Sequence, residues 1–162
     1  MVETSEDGTF MHGCLNIGES VSIPIVRELK KRMRNEEFVI LDCPPGASCA
    51  VMKSLEGCDY CILVTEPTPF GLHDLKIAAG LVEKMGIPYG VIINKATPEE
   101  KMIHSFCAEN GIEVLLKMAF SREIAANYSN GILPVQADPD WKARFREVVR
   151  KCLMQVEEGA KR

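Results

Sequence analysis

Short apolar segments alternate with longer amphipathic segments along most of the chain. Three of the short segments are nearly continuous apolar runs rich in strand-forming side chains, at residues 38–41, 60–64 and 89–93. Runs of this kind are typical of strands buried on both faces of a sheet. We therefore predict strands at these three places, and a fourth at 113–116.

The longer segments carry apolar residues at helical spacing and have recognisable start and stop signals. Proline marks most of the starts, and glycine follows two of the ends. The sequence Thr-Pro-Glu-Glu at 97–100 is interpreted as a capping box. The predicted helices cover residues 24–34, 68–85, 97–111 and a stretch that begins at 138.

Strands alternating with helices of these lengths predict an α/β fold, a parallel β-sheet with helices on both faces. With 162 residues and 46% hydrophobic content, the chain can form one core, and it is short for two independent domains. We predict a single domain over residues 1–162. Its ligands are expected at the carboxyl ends of the strands, where such sheets bind them.

Charge and cysteine content narrow the function classes. The formal net charge is −4, with both signs interspersed, so nucleic-acid binding is not expected. No run approaches the roughly 18 apolar residues of a membrane span, and the N-terminus is polar and acidic, so we predict no membrane segment and no signal peptide. The seven cysteines show no disulfide framework, which favours a reducing, cytoplasmic environment.

Polar side chains follow three of the predicted strands at the point where each ends. They are Asp42 after the first, Thr65 and Glu66 after the second, and Asn94 after the third. Asp42 can bind Mg²⁺ directly or through water, because hard cations prefer carboxylate oxygen, and Gly46 lets a backbone N–H approach a phosphate. The alternative is an ordinary turn in which Asp42 caps the next helix, and Asn94 can likewise simply end a strand.

Three segments together resemble a known family. VILDCPPGASC, VTEPTPFGLHDL and VIINK, in this order and spacing, are similar to the C-terminal half of the MinD/Mrp group of P-loop ATPases, which are ParA-like and of the SIMIBI class. The similarity runs from about residue 8 to 134. It is closest to members with an inserted ferredoxin domain, and the nitrogenase iron protein is a more distant relative.

The resemblance implies a P-loop NTPase-like fold with ATP or ADP and Mg²⁺ as cofactors. It implies that Asp42 and Gly46 belong to the catalytic switch segment that senses Mg²⁺ and the γ-phosphate, and that Asn94 reads the adenine edge. The loop beside the nucleotide would consist of Thr65, Glu66 and Pro67.

One essential part of that family's site is absent from the sequence. The glycine-rich loop ending in Lys-Ser/Thr, which holds the phosphates, does not occur, and it would precede residue 1 together with the first strand and the ferredoxin insertion. In the family the missing strand lies between those ending at Asp42 and Thr65, so two edges would be unpaired. Direct pairing, a partner's strand or an N-terminal half could close the gap. We expect a homodimer or a partner that carries the P-loop.

Cys14 and Cys49 are candidate cluster ligands. Their spacings from Asp42 resemble those of the two cysteines with which the nitrogenase iron protein holds a [4Fe–4S] cluster between two subunits, each supplying two thiolates. The alternative is that both are small buried side chains. Cys58 and Cys61 form a CxxC without a second pair at metal-site spacing, and we interpret it as structural.

Three functional hypotheses follow. The first is the C-terminal part of an ATPase linked to iron–sulfur or metallocluster handling or redox coupling, which needs a P-loop half for water to attack the γ-phosphate. The second is a non-catalytic relative that acts as a binding or dimerisation module. The third is a dimeric iron–sulfur carrier.

Overall fold

The structure, a computed structural model, describes residues 2–5, 8–18, 22–33, 37–97 and 100–160. The chain divides into two compact units, Met1–Gly57 and Cys58–Arg162. They are called the first unit and the second unit from here on. None of the helices in the described ranges has the length and apolar content that crossing a bilayer requires.

The first unit contains a hairpin followed by helices. The hairpin is antiparallel and pairs β1 (Val2–Ser5) with β2 (Gly8–Met11). The described helices of this unit are α1 (Ile23–Arg32) and α2 (Cys49–Leu55).

Helix α2 is held at both of its ends. At its start, the Ser48 hydroxyl oxygen accepts a hydrogen bond from the first turn at 3.4 Å, as N-cap residues do. At its end, the Lys30 ammonium of α1 donates to the carbonyl oxygens of Lys53 at 3.0 Å and Ser54 at 2.8 Å, and also to that of Glu56. A cation at the last carbonyls is favourable because helix C-termini carry partial negative charge. Lys30 therefore joins the two helices.

The second unit alternates strands and helices. Its elements are β3 (Cys61–Thr65), α3 (Pro69–Lys84), β4 (Tyr89–Ala96), α4 (Lys101–Glu109), β5 (Glu113–Ala119), α5 (Arg122–Ser129), α6 (Pro134–Ala137) and α7 (Pro139–Ala160). The described strands form a parallel sheet in the order β3-β4-β5. β4 lies at the centre, and its pairing with β5 is irregular between Val91 and Ile92 and again between Ile93 and Ala96.

Helices pack on both faces of the sheet. On one face Val91 and Ile93 pack with Leu75 of α3 and with Ile103 and Cys107 of α4. On the other face a cluster of Ile92, Leu115 and Val148 brings α7 onto the sheet. The predicted α/β fold class, with helices on both faces of a parallel sheet, is therefore confirmed.

Most of the predicted elements of the second unit are present. The strands predicted at 60–64, 89–93 and 113–116 correspond to β3, β4 and β5, and the last two extend further, to Ala96 and Ala119. The predicted helices correspond to α3, α4 and α7 of this unit and to α1 of the first unit. The capping box at 97–100 includes Pro98 and Glu99, which lie outside the described residues.

The strand predicted at 38–41 is wrong. These residues adopt no regular structure, and Phe38, Val39 and Ile40 are 56%, 39% and 78% exposed. A strand needs a neighbour for its backbone hydrogen bonds, and the described strands of the first unit, β1 and β2, pair with each other. Asp42 therefore follows an irregular segment and not a strand.

Candidate functional site

The carboxyl ends of β3 and β4 bring several of the predicted site residues to one edge of the sheet. Thr65 ends β3, Glu66 and Pro67 follow it, and Asn94 and Lys95 lie near the end of β4. The Glu66 carboxylate and the Lys95 ammonium form an ion pair at 2.7 Å. This edge, called the strand-end edge from here on, therefore connects two of the three predicted groups directly.

The loop after β3 is fixed by a dense set of hydrogen bonds. The Thr65 hydroxyl donates to the carbonyl oxygen of Gly71 at 2.9 Å, and the Gly71 N–H donates to the Thr68 hydroxyl oxygen at 2.9 Å. The Thr68 N–H in turn donates to the Glu66 carbonyl oxygen at 2.8 Å. A Cβ atom on Gly71 would lie 2.1 Å from that carbonyl oxygen, so only glycine fits. Thr65 and Pro67 are buried, and the loop is rigid as a result.

Asn94 lies inside β4 and not after it, at an irregularity in the sheet. Between Ile93 and Ala96 the strand holds one residue more than the facing stretch of β5, which is the pattern of a β-bulge. Within this bulge Lys95 adopts a φ of +51°. Its backbone N–H donates to the Asn94 Oδ1 atom at 3.0 Å. The Asn94 amide group and the Lys95 backbone are therefore linked within the bulge.

A second charged group near the same ends of β4 and β5 was missed by the sequence analysis. The Glu100 carboxylate accepts from the Lys117 ammonium at 3.0 Å, and the His104 Nε2 atom lies 3.4 Å from the same carboxylate oxygen. Glu100 was assigned only to a capping box, yet its side chain makes no cap hydrogen bond. The available signal was the four-residue spacing of Glu100 and His104, which places them on one helix face.

In the first unit, Asp42 and Gly46 lie in an exposed irregular segment. Ser48, and not Asp42, caps the helix that follows, so the alternative interpretation of Asp42 as a helix cap is wrong. Gly46 has a φ of +88°, and no heavy atom lies within 4 Å of the position of a Cβ. Glycine is favoured there by backbone conformation, and the segment around it is open to a ligand.

A small cavity lies beside Asp42. It has a volume of about 80 Å³ and is lined by Val26, Leu29, Lys30, Leu41, Asp42, Pro44 and Ser54. Small-molecule pockets are typically several hundred Å³, so this cavity is not a nucleotide pocket. The Lys30 ammonium in its wall is already bonded to the end of α2.

The cysteines differ in burial, and Cys43, Cys58 and Cys152 are intermediate. Cys61 and Cys107 are buried, in keeping with a structural role, and burial raises the pKa of the Cys107 thiol. Cys14 and Cys49 are exposed, so the alternative that they are small buried side chains is wrong. Within the described part of the chain, no three or more His, Cys, Asp or Glu side chains gather as a metal site.

Two solved structures share the fold of the chain. The MinD cell division protein of Aquifex aeolicus superposes with a TM-score of 0.67 at 17% identity, over 95% of this chain and 68% of that one. The cell division ATPase MinD of Pyrococcus furiosus gives a TM-score of 0.60 at 20% identity, over 85% and 59%. The fold is therefore that of the MinD-like P-loop NTPases.

Curated relatives extend this likeness to sequence, although no model of a protein family matches the chain. An uncharacterized protein of Methanocaldococcus jannaschii is 39% identical over 92 residues, 56% of this chain and 34% of the relative. An uncharacterized ATP-binding protein of the same organism is 25% identical over 129 residues, 77% of this chain and 49% of the relative. The chain thus spans about a third to a half of the length of these relatives. It is related to the MinD/ParA-like P-loop ATPases.

Proposed function

We propose that this chain is part of a nucleotide-binding ATPase of the MinD/ParA type and that it hydrolyses ATP only together with a P-loop half. The observation that carries the proposal is the strand-end edge, where the Glu66–Lys95 ion pair links the loop after β3 to the bulge that holds Asn94. The similarity to an ATP-binding relative supports it. Both units would then belong to one partial P-loop NTPase-like domain.

At the strand-end edge, Asn94 would recognise the adenine base, since a side-chain amide can bond to the edge of a base. The loop beside the nucleotide would be formed by Thr65, Glu66 and Pro67. Because this loop and the bulge are already held by hydrogen bonds, binding would need little ordering of the protein at this edge.

Asp42 would hold Mg²⁺, directly or through water. Its carboxylate is exposed and makes no ion pair with a lysine or arginine among the described residues, and it is the hard oxygen ligand that this cation prefers. The cation would neutralise charge on the phosphates. The backbone N–H at Gly46 would bond to the γ-phosphate and release on hydrolysis, as switch segments do. The lysine that contacts the phosphates would come from the P-loop half.

The sheet offers a place for that half to dock. Among the described strands, β3 pairs with β4 alone, so its other edge is open. On the face of the sheet that carries Ile92, the β3 side chains Ile62 and Val64 are also 42% and 63% exposed, so a docked half could cover apolar surface there as well. Open, uncharged strand edges accept further strands. We propose that a partner chain or segment carrying the P-loop, or a second copy in a homodimer, adds to this edge.

A link to iron–sulfur handling in the cytoplasm is a further part of the proposal. A [4Fe–4S] cluster between two copies needs two thiolates from each, and the exposed Cys14 and Cys49 are accessible for this. Anaerobic reconstitution with iron and sulfide should give visible absorption that Cys14→Ser and Cys49→Ser abolish and that Cys107→Ser, a change at a buried position, retains. Colour that survives both changes, or no colour in the wild type, would exclude this part.

Nucleotide binding is tested on the full chain by following amide resonances during titration with MgADP. We expect shifts at Asn94 and at residues 65–71, and loss of these shifts in Asn94→Ala. Asn110→Ala is the matched control, because Asn110 is an exposed amide at the end of α4, just before β5 begins and therefore at the amino ends of the strands. Unchanged spectra at millimolar nucleotide, or shifts that survive Asn94→Ala, would contradict the proposal.

ATP hydrolysis is tested by joining the P-loop half of a MinD-type ATPase to the N-terminus of the chain. We expect phosphate release from the joined protein, none from the chain alone, and loss of release in Asp42→Ala. Hydrolysis that is insensitive to Asp42→Ala would exclude the proposed role of this residue.

The alternative function is a non-catalytic module that dimerises or binds a partner. The observations in its favour are the open edge of β3 among the described strands and the exposed Ile62 and Val64 on one of its faces. Self-association that Val64→Lys disrupts, together with no response to nucleotide, would select this alternative.

A further inference from the structure

The ion pair between Glu66 and Lys95 joins two segments that differ in how firmly they are held. On the β3 side, the Glu66 carbonyl oxygen accepts the Thr68 N–H at 2.8 Å and lies against Gly71 where no Cβ would fit. The backbone of Glu66 is therefore held in place. On the β4 side, Lys95 lies in the bulge, where the regular ladder with β5 is interrupted.

The backbone conformation of Lys95 needs an explanation. Its φ of +51° lies in the left-handed region, which a lysine adopts rarely because its Cβ crowds the backbone. Since the ladder is interrupted between Ile93 and Ala96, regular strand pairing does not impose this conformation. The side-chain contact of Lys95 is its 2.7 Å ion pair with Glu66.

The same conformation decides which atom of the Asn94 amide is available. With Lys95 in the left-handed region, its N–H donates to Asn94 Oδ1 at 3.0 Å. The Nδ2 atom of Asn94 has no hydrogen-bond partner in the described part of the chain. The group therefore presents N–H donors, which bind ring-nitrogen or carbonyl acceptors.

We propose that the Glu66–Lys95 ion pair positions Asn94. The pair holds Lys95 in the left-handed conformation, and Asn94 is thereby fixed with its Nδ2 atom available to donate a hydrogen bond to a ring nitrogen of the bound base. This inference rests on the proposed function, because it specifies how Asn94 would recognise adenine. Glu66 and Lys95 act through Asn94 and not on the phosphates.

The size of the effect follows from the exposure of the pair. The side chains of Lys95 and Glu66 are 55% and 44% exposed, and ion pairs at such positions are weak. Removing the pair should therefore change folding stability little. Its effect on the affinity for a base should be a loss of about three- to fivefold, the limit that a weak surface pair can impose.

The first experiment needs no ligand and uses the full chain. Glu66→Gln removes the charge and keeps the size of the side chain, and Lys95→Arg keeps the ion pair. We expect Glu66→Gln to speed amide hydrogen exchange at Lys95 and to shift the side-chain amide resonances of Asn94, whereas Lys95→Arg leaves both as in the wild type. The double exchange Glu66→Lys with Lys95→Glu should restore both.

The matched control is Glu147→Gln. Glu147 pairs with Arg150 at 2.5 Å, with side-chain exposures of 47% and 59%, close to those of the Glu66–Lys95 pair, but both residues lie on α7. This change should leave the Asn94 and Lys95 signals unchanged. Equal responses to Glu66→Gln and Glu147→Gln would overturn the proposal, since a general charge effect would then explain them.

The second experiment measures binding of adenosine, which carries the base without phosphates. Glu66→Gln should lower the affinity about three- to fivefold, and Asn94→Asp should abolish binding because it keeps Oδ1 and removes the donor. If the wild type binds adenosine and Glu66→Gln changes neither the affinity nor the Asn94 signals, the positioning role is excluded and the proposed function stands. If adenosine does not bind but the ligand-free signals respond as expected, the ion pair positions Asn94 and the proposed function fails.

Discussion

The two units of the chain differ in how far their apolar segments are buried. In the second unit, Val91 and Ile93 of β4 are 0% exposed because α3 and α4 pack on them, and α7 packs on the other face of the same strand. In the first unit, Phe38 and Ile40 belong to a similar apolar run and are 56% and 78% exposed. The difference is the presence of neighbouring strands, because burial on both faces requires a sheet to belong to.

The candidate site differs between the units in the same way. At the strand-end edge, Thr65, Glu66 and Asn94 are each held by a hydrogen bond or an ion pair. Asp42 and Gly46 lie in an exposed irregular segment. The contacts proposed for the base are thus formed in advance, whereas those proposed for the metal and phosphate would require ordering when a ligand or partner binds.

The largest expected effect is a difference in stability between a substitution in β4 and one in the 38–41 run. Ile93→Ala should lower the free energy of unfolding by about 3–4 kcal/mol, because it leaves a cavity at a fully buried position. Ile40→Ala, at a position 78% exposed, should change it by less than about 0.5 kcal/mol. Urea denaturation of both variants measures this difference. Similar losses in the two variants would mean that the 38–41 run is buried in solution.

The contrast between these two runs also shows how far the sequence could predict the fold. The pattern of an apolar run followed by residues at helical spacing was enough to predict β3, β4 and β5. It was enough because each of these strands pairs with a neighbouring strand, as an apolar strand must. The same pattern at 38–41 gave a wrong strand, since pairing depends on a distant partner that local composition does not reveal. Helices α2, α5 and α6 were missed because all three are short, although Ser48 and Ser121 are the N-cap residues of α2 and α5.

The candidate site was predicted in the same partial way. Glu66 and Asn94 were recognised by their positions after apolar runs, and the structure places them at one edge. The left-handed Lys95 and the contact of Glu100 with Lys117 were not recognised. Both depend on the register between strands and on a bulge, which no local pattern specifies.

The next effect tests the rigidity of the strand-end edge. Gly71→Ala would place a Cβ 2.1 Å from the Glu66 carbonyl oxygen, so the loop or α3 must shift, and the free energy of unfolding should fall by about 1–3 kcal/mol. Gly80→Ala is the matched control within α3, because no heavy atom lies within 4 Å of its Cβ position. It should raise stability by up to about 1 kcal/mol, since alanine favours helix over glycine. A Gly71→Ala variant as stable as the wild type would show that the edge is not rigid.

A smaller effect is expected in the first unit. Lys30→Met removes the ammonium that bonds to the carbonyl oxygens of Lys53 and Ser54 and keeps much of the apolar stem. The free energy that protects the amides of α2 from hydrogen exchange should fall by about 1–2 kcal/mol. Lys31→Met is the control, because the Lys31 side chain is 67% exposed and lies 3.8 Å from Glu28. Equal protection of α2 in both variants would show that Lys30 does not hold this unit together.

A substitution of Tyr60 in the second unit is expected to have the smallest effect on stability at neutral pH. Its effect at alkaline pH should be larger. Its hydroxyl oxygen is buried and has no hydrogen-bond partner among the described residues, so Tyr60→Phe should change stability by less than about 0.5 kcal/mol at pH 7. Burial, with Cys152 and Glu113 nearby, raises the pKa of Tyr60.

Because this pKa is higher in the folded than in the unfolded protein, the contribution of Tyr60 to stability is complete below the unfolded-state pKa of about 10. It is lost as the pH rises above that value. Tyr60→Phe should therefore flatten the fall in stability at alkaline pH, measured by urea denaturation across a pH series. Tyr128→Phe, at a position 71% exposed, should leave the profile as in the wild type. If both variants gave the wild-type profile, the alkaline loss would arise elsewhere, and the burial that distinguishes the second unit would not extend to the tyrosine at the start of β3.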